Sequence, residues 1–511
     1  MSDWTAGYVA EIGYTFGYYP ELDPQRVRLA FLNAGLAFPQ VGTACELGFG
    51  QGLSANLHAA ASTVQWYGTD FSPAQAGFAQ ELARVSGAGA LLYDQAFSEF
   101  CARSDLPDLD FIGVHGIWSW ISDENRAVIV DFVRRKLKVG GVLYISYNTQ
   151  PGWATMVPVR DLLAEHSEVM SASGQGIAAR IDAAMAFADK LLAMNPAYTR
   201  VNPHVVERFK MIRDQKRNYL AHEYFNRDWH PMPFSRMARW LAPAKLNFAC
   251  SAHFPDQIDA LNFTPEQQAL MKEISDPMFR ETVRDFFVNQ QFRRDYWVRG
   301  ARRLNALEQM EGLRAHKVML AVPRADVSLK VSGGLGEGTM QETVYNPILD
   351  ALADHQPRTL GQLEQALKEK DIVLAHLREA AMVLSGNNSL FAVQDEAAAG
   401  KAKKHTERLN AYICERARGS SDISLLASPV SGRGVPADRF RQLFLLAIGR
   451  GMKQPAEWAQ FASSELAEMG EKILKDGKAL ETPEENLAEM NLHANTFSEK
   501  QLPIFKALGI A

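Results

Sequence analysis

The chain has 511 residues, of which 47% are hydrophobic and 22% charged, with a formal net charge of −5 and a pI near 6.2. Roughly two to four domains fit this length, each with enough apolar residues for a core of its own. The charge balance leaves no basic field for nucleic acid, and four cysteines without a Cys-x-x-Cys pair argue against both a disulfide framework and a zinc module.

Met1-Ser2-Asp3-Trp4 lacks the basic and apolar regions of a signal peptide, and no apolar run reaches the length of a membrane span. The cytosol is therefore the expected compartment. Next, Tyr14-Thr15-Phe16-Gly17-Tyr18-Tyr19-Pro20 is dense in aromatic residues. Lying ahead of the first strand, it either closes over a ligand as a lid or packs, and Tyr14 is its candidate contact to a cofactor carboxylate.

From residue 43 short apolar runs alternate with helical stretches. Thr43–Leu47 reads as a strand and Leu53–Ala61 as a helix. A second strand over 64–69 ends at Asp70, and Ser72-Pro73-Ala74-Gln75 starts a helix with Ser at the N-cap and Pro in the first turn. Strands follow at 90–93, ending at Asp94, at Leu109–Val114 and at 142–146, the last after a helix over 124–138. This alternation predicts a doubly wound α/β, Rossmann-like parallel sheet over residues 1–157. Residues 158–242 read as a helical insertion. Strands at 246–252 and 296–299 return to the sheet within a segment 243–318.

Beyond that, the glycines at 333–338 mark a loop or hairpin. Helices at 347–355, after the Thr359-Leu360-Gly361-Gln362 capping box, and at 374–385 lead into an apolar run at 389–393, a winged-helix-like module over 319–395. Its last helix offers only His376 and Arg378 as basic groups, so protein contact or packing suits it better than DNA. Residues 396–404, with Lys401, Lys403 and Lys404 exposed, read as a linker. Residues 405–511 read as a helical C-terminal region.

The sharpest motif is Glu46-Leu47-Gly48-Phe49-Gly50-Gln51-Gly52, between the first strand and first helix. Glycines there let the backbone turn and a ligand approach. A dinucleotide would bring a pyrophosphate against Glu46, which repels it, and the spacing is not that of the dinucleotide fingerprint. S-adenosylmethionine carries a sulfonium and an ammonium and no phosphate, so flanking carboxylates attract it. Asp70, ending the second strand, can accept from both ribose hydroxyls. Asp94 either accepts from the adenine amino group or caps a helix. Phe71 and Phe97, beside these strand ends, complete the expected cofactor set with Gly48, Gly50, Gly52 and His115.

The loop resembles the first motif of class I methyltransferases. His115-Gly116-Ile117-Trp118-Ser119-Trp120, Tyr147-Asn148-Thr149-Gln150-Pro151-Gly152-Trp153 and His222-Glu223-Tyr224 narrow the resemblance to bacterial methyltransferases with a methyltransferase regulatory domain, including rickettsial outer-membrane-protein lysine methyltransferases. The similarity spans nearly the whole chain. Phe49 departs from it, standing where many relatives have a small residue or Cys. The resemblance implies S-adenosylmethionine as cofactor and a lysine amine of a protein as acceptor, and leaves room for a homodimer. An O-methyltransferase for a glycan or small molecule, and a non-catalytic cofactor-binding regulator, remain the other readings.

Ligands of open α/β sheets bind beyond the carboxyl ends of the strands. His115, Trp118, Tyr147 and Asn148, at the ends of the fourth and fifth strands, are therefore the candidate catalytic residues. His115 serves there as a general base or as a hydrogen-bonded loop residue. Trp118, Trp120, Tyr147 and Trp153 form an aromatic acceptor channel or pack beneath the inserted helices. His222-Glu223 is not a zinc site, since Asn226 stands where the second His of that motif belongs. No Asn/Asp-Pro-Pro-Tyr/Phe tetrapeptide of base-amino methyltransferases follows the fourth strand.

Overall fold

Alternate residues of the central strands feed two different cores. Ala44, Phe111, Val142 and Tyr144 face one. Cys45, Ile112, Leu143 and Ile145 face the other. A sheet buried on both faces needs near-continuous apolar strands, as these are. The computed structural model describes residues 15–172 and 174–511.

The strands are β1 (Thr43–Leu47), β2 (Gln65–Asp70), β3 (Leu91–Asp94), β4 (Leu109–Val114), β5 (Leu137–Asn148), β6 (Leu246–Ser251) and β7 (Phe292–Arg299). Their order is β3-β2-β1-β4-β5-β7-β6. The pairs among β1 to β5 are parallel. β7 runs antiparallel to both β5 and β6, so the expected parallel sheet is a mixed one. The chain's winding reverses between β1 and β4, which opens a crevice at their carboxyl ends.

Helices Val157–Val169, Ile177–Ala193, His204–Arg213 and Arg217–Tyr224 pack around their own core, with Trp153, Ile181, Phe209 and Trp229 buried in it. The strand Lys317–Leu320 pairs with Arg358–Thr359 and Leu390–Ala392. The helices Glu342–Ala351, Leu360–Ala366 and Leu374–Gly386 lie beside that small sheet and bury Leu349, Leu363 and Leu377. The glycine-rich turn before them is a hairpin, Lys330–Gly333 on Gly336–Thr339. Among the described residues, no helix is long and apolar enough to cross a membrane.

Three local expectations are corrected. Pro347 does not begin its helix but sits inside Glu342–Ala351, where burial of Tyr345, Ile348 and Leu349 outweighs the missing amide hydrogen bond. Ser72 is at the N-cap, yet its side chain makes no cap bond; its backbone N–H instead donates to Asp70 Oδ1 at 3.0 Å. Residues 396–404 are no linker but the start of the helix Glu396–Arg416. Ala, Glu and Lys are strong helix formers. Further along, Leu409 and Ile413 bury against Leu53, Leu57 and Leu82 of the helices Leu53–Ala61 and Pro73–Ser86.

Candidate functional site

The loop after β1 is tied to the end of β2. Gly48 and Phe49 N–H both donate to the Thr69 carbonyl, at 2.8 and 3.3 Å. Gly48 has φ +75°, and a Cβ there would lie 2.4 Å from Ile117 Cδ1. Gly50 N–H donates to Asp70 Oδ2 at 2.9 Å. The bend thus presents backbone rather than side chain to a cavity. Gly48, Gly50, Asp70, Phe71, Phe97 and His115 line it. Gly52 does not line it; a Cβ on Gly52 would meet Ala79 Cβ at 2.4 Å, so this glycine lets the helices Leu53–Ala61 and Pro73–Ser86 approach closely.

Burial pushes the Asp70 carboxyl up to about 6, against the pull of the Ser72 and Gly50 amides. Glu46 is buried at the end of β1, and its Oε2 has no hydrogen-bond partner. Desolvation, and then Asp70, raise its carboxyl to about 8. Glu46, expected as a cofactor contact, is not among the lining residues, and the Ala55 amide bonds its carboxyl; a buried carboxyl with one oxygen unpartnered, behind a bend without side chains, is still an arrangement that a phosphate-free cation fits. The residues present would hold S-adenosylmethionine through Asp70, the Gly48 and Gly50 backbone, and the field of Glu46.

This arrangement predicts a proton linkage. A cation beside Glu46 favours its ionised form, so below pH 8 cofactor binding must release a proton, and affinity rises with pH. We expect about a tenfold gain between pH 6.5 and 8 by calorimetry and a flatter profile in Glu46→Gln. Without ligand the sign is opposite. A folded value raised above the unfolded one gives stability that is lost as pH climbs through 8.

His115 lies on the floor of the cavity. Its Nδ1 is 2.7 Å from the Tyr144 hydroxyl, and its ring stacks on Tyr19 with centroids 3.4 Å apart. Burial lowers it to about 4 despite Glu21, so it is neutral at pH 7. Tyr19, Thr15 and Gly17 bring the N-terminal segment over the cavity; the expected contact by Tyr14 lies outside the described residues.

The other expected catalytic residues do not face the cavity. Trp118 is fully buried, with Nε1 donating to Met232 Sδ at 3.4 Å and its ring edge-on to Trp240. Tyr147 is fully buried and donates to Asp295 Oδ2 at 2.9 Å. Asn148 is held by Ser119 Oγ at 2.8 Å through its backbone N–H, with a buried Nδ2 that has no partner. Trp153 packs against Trp229 and Tyr224. Asp94 is exposed and is not among the lining residues; Gln95, the next residue, takes that place. Sequence reasoning missed Gln95 and Asp228, whereas Tyr19 lies in the aromatic stretch expected to close over a ligand or to pack. Gln95 carried a signal in its position just past a strand end, whereas Asp228, far along the chain, carried none.

The outer wall is formed by Trp120, Ile121, Ser122, Asn125 and Asp228. Trp120 Nε1 donates to the Glu223 carbonyl at 3.5 Å, and His230 N–H donates to the Ser119 carbonyl at 2.7 Å. Residues 223–230 are thereby pinned to the turn that follows β4. Among the described residues, no group of three His, Cys, Asp or Glu is placed to hold a metal.

A family model described as a predicted methyltransferase regulatory domain matches residues 216–299. Uncharacterized protein sll1526 of Synechocystis is 39% identical over 99% of this chain and the whole of its own length. Uncharacterized protein RP789 of Rickettsia prowazekii is 24% identical over 55% of this chain and 51% of its own. The solved structure of PKMT2 from Rickettsia typhi in complex with AdoHcy has a TM-score of 0.71, at 16% identity, covering 98% of this chain and all of that one. At that identity the likeness is one of fold.

Proposed function

Because the chain belongs to the family of sll1526, a family with the class I methyltransferase fold and a methyltransferase regulatory domain, we propose that it is an S-adenosylmethionine-dependent methyltransferase acting on lysine side chains of a protein. The observation that carries the reading is the cavity at the β1–β4 switch point, with a glycine bend, Asp70 bound to that bend, and Glu46, its Oε2 unpartnered, on the strand that leads into it. When bound, S-adenosylmethionine supplies a methyl group on a sulfonium, ready for in-line displacement.

The chain's own work is positioning and drying. Phe97, Ile117, Trp120 and Ile121 line the cavity and exclude water from the acceptor. An apolar wall lowers the pKa of an amine by desolvation, and an aromatic face such as that of Trp120 holds an ammonium before it loses its proton. A hydroxyl acceptor needs a stronger base than an amine does. His115, lowered to about 4 and engaged with Tyr144, is a weak one, which favours the amine.

The test is transfer of radiolabelled methyl from S-adenosylmethionine to an extract of the source cells. We expect protease-sensitive label that hydrolysis returns as methyl-lysine. Label recovered in glycan or small metabolites supports hydroxyl acceptors instead, and no label at all leaves a cofactor-binding regulator.

A further inference from the structure

Among the described residues, two carboxylates line the cavity, Asp70 and Asp228. Asp70 is committed to the glycine bend at the end of β2. Asp228 arrives from the opposite side, on the segment between the helices Arg217–Tyr224 and Phe234–Leu241, together with the wall that Trp120 and Asn125 form. Its side chain is 24% exposed, so it is partly desolvated yet reachable from solvent. Its nearest basic side chains are Arg227 at 3.8 Å and the imidazole of His230 at 3.6 Å, and the buried Arg126 and Arg160 guanidiniums also feel its charge. Arg227 and His230 both lie beyond ordinary hydrogen-bond length, and both side chains are at least half exposed.

Resting on the reading of this cavity as a lysine-methylating site, we infer that Asp228 is the specificity-determining residue that docks the acceptor's ammonium group. A cationic side chain entering along the apolar wall leaves water. A carboxylate at that point replaces part of its hydration with a charge-assisted hydrogen bond. A neutral side chain of the same length gains nothing there, and an anionic one is repelled. Arg227 and His230 do not block this role, since exposed pairs at these distances contribute little and give way to a better-placed partner; Arg126 is bonded to Asp123 and the Trp118 carbonyl, and Arg160 to Asp161 and the Asn226 carbonyl. The same carboxylate ties the matched regulatory domain, residues 216–299, to the choice of acceptor. That domain then contributes directly to substrate selection, with residues 228–230 held in place by the His230–Ser119 backbone bond.

The test measures binding without turnover. Two short blocked peptides of alanine and glycine are used, one with a central lysine and one with norleucine in its place. Each is titrated by calorimetry into the full chain saturated with S-adenosylhomocysteine. We expect the wild type to prefer the lysine peptide by roughly tenfold, the preference to vanish in Asp228→Asn, and affinity for S-adenosylhomocysteine to stay unchanged. Asp228→Glu should keep part of the preference, which a merely structural role would not require. Equal binding of the two peptides by the wild type, or an undiminished preference in Asp228→Asn, overturns the inference. Methyl-lysine formed in extract alongside an undiminished preference in Asp228→Asn overturns this inference alone. Label found only on hydroxyls removes the reading on which it rests, and the inference with it.

Discussion

Gly50→Arg is expected to abolish measurable binding of S-adenosylhomocysteine while the protein stays folded. Gly50 has φ +58°, a backbone conformation that costs an L side chain about 1–2 kcal/mol, a small part of the stability of a large core. The effect on binding is much larger. The new side chain fills the bend from which Gly50 N–H reaches Asp70, and its guanidinium brings a fixed positive charge beside the carboxylate that would receive the ribose. Asp70→Ala tests the same site from the other direction. It removes a charged acceptor, with hydrogen bonds worth about 1.5–3 kcal/mol each, so affinity should fall by roughly a hundredfold. Gly52→Ala is the contrasting variant. Its Cβ would meet Ala79 Cβ at 2.4 Å, so it should lower the melting temperature more than it lowers cofactor affinity. Calorimetry and thermal melting on the three proteins separate the two roles, and undiminished affinity in both Gly50→Arg and Asp70→Ala would remove the cofactor assignment.

The glycine bend was legible because its parts are neighbours in the chain. A strand, an acid, three glycines and a second acid at the next strand end define one corner of the fold before any tertiary contact is known. The acceptor side was less legible, because strand-end position alone does not say which face a side chain takes. Along β5, Tyr144 and Ser146 point toward His115, while Leu143, Ile145 and Tyr147 enter the opposite core. Tyr147 stands at a strand end, but the alternation places it on the far face. Trp118 is drawn inward by the short turn after β4, whereas Trp120, two residues on, reaches the cavity. Asp228 was invisible for a different reason: only tertiary packing brings its segment to that turn. The helix at 396–404 is hidden because its lysines suit a solvated linker equally well, although Ala402, between exposed Lys401 and Lys403, is fully buried.

Tyr147 belongs to a buried ionic cluster whose disruption should have the largest effect on stability. Arg293, on β7, is 2% exposed and reaches Asp285 at 2.6 Å, Glu281 at 2.7 Å and Asp295 at 3.0 Å. Tyr147 donates to the same Asp295. One cation thus serves three carboxylates in the helix and strand that complete the sheet. Removing one partner of a buried pair leaves uncompensated charge, which costs about 3–5 kcal/mol, and Arg293→Met should lose at least that much at pH 7. The loss should shrink on acidification. Burial already raises Asp285 to about 7 and raises Asp295 as well. Carboxyls with raised folded values contribute stability that is present at low pH and lost as pH rises through 7. Without the Arg293 charge these values climb further, so the gap between wild type and variant should narrow between pH 7 and 5. Tyr147→Phe should cost only about 1 kcal/mol, the net value of one hydrogen bond, and should leave methyl transfer intact. Denaturant titrations at the two pH values decide the matter. A deficit in Arg293→Met that is small, or equal at both pH values, would mean that the cluster does not hold β7 against the sheet, and a loss of turnover in Tyr147→Phe would return Tyr147 to the acceptor site.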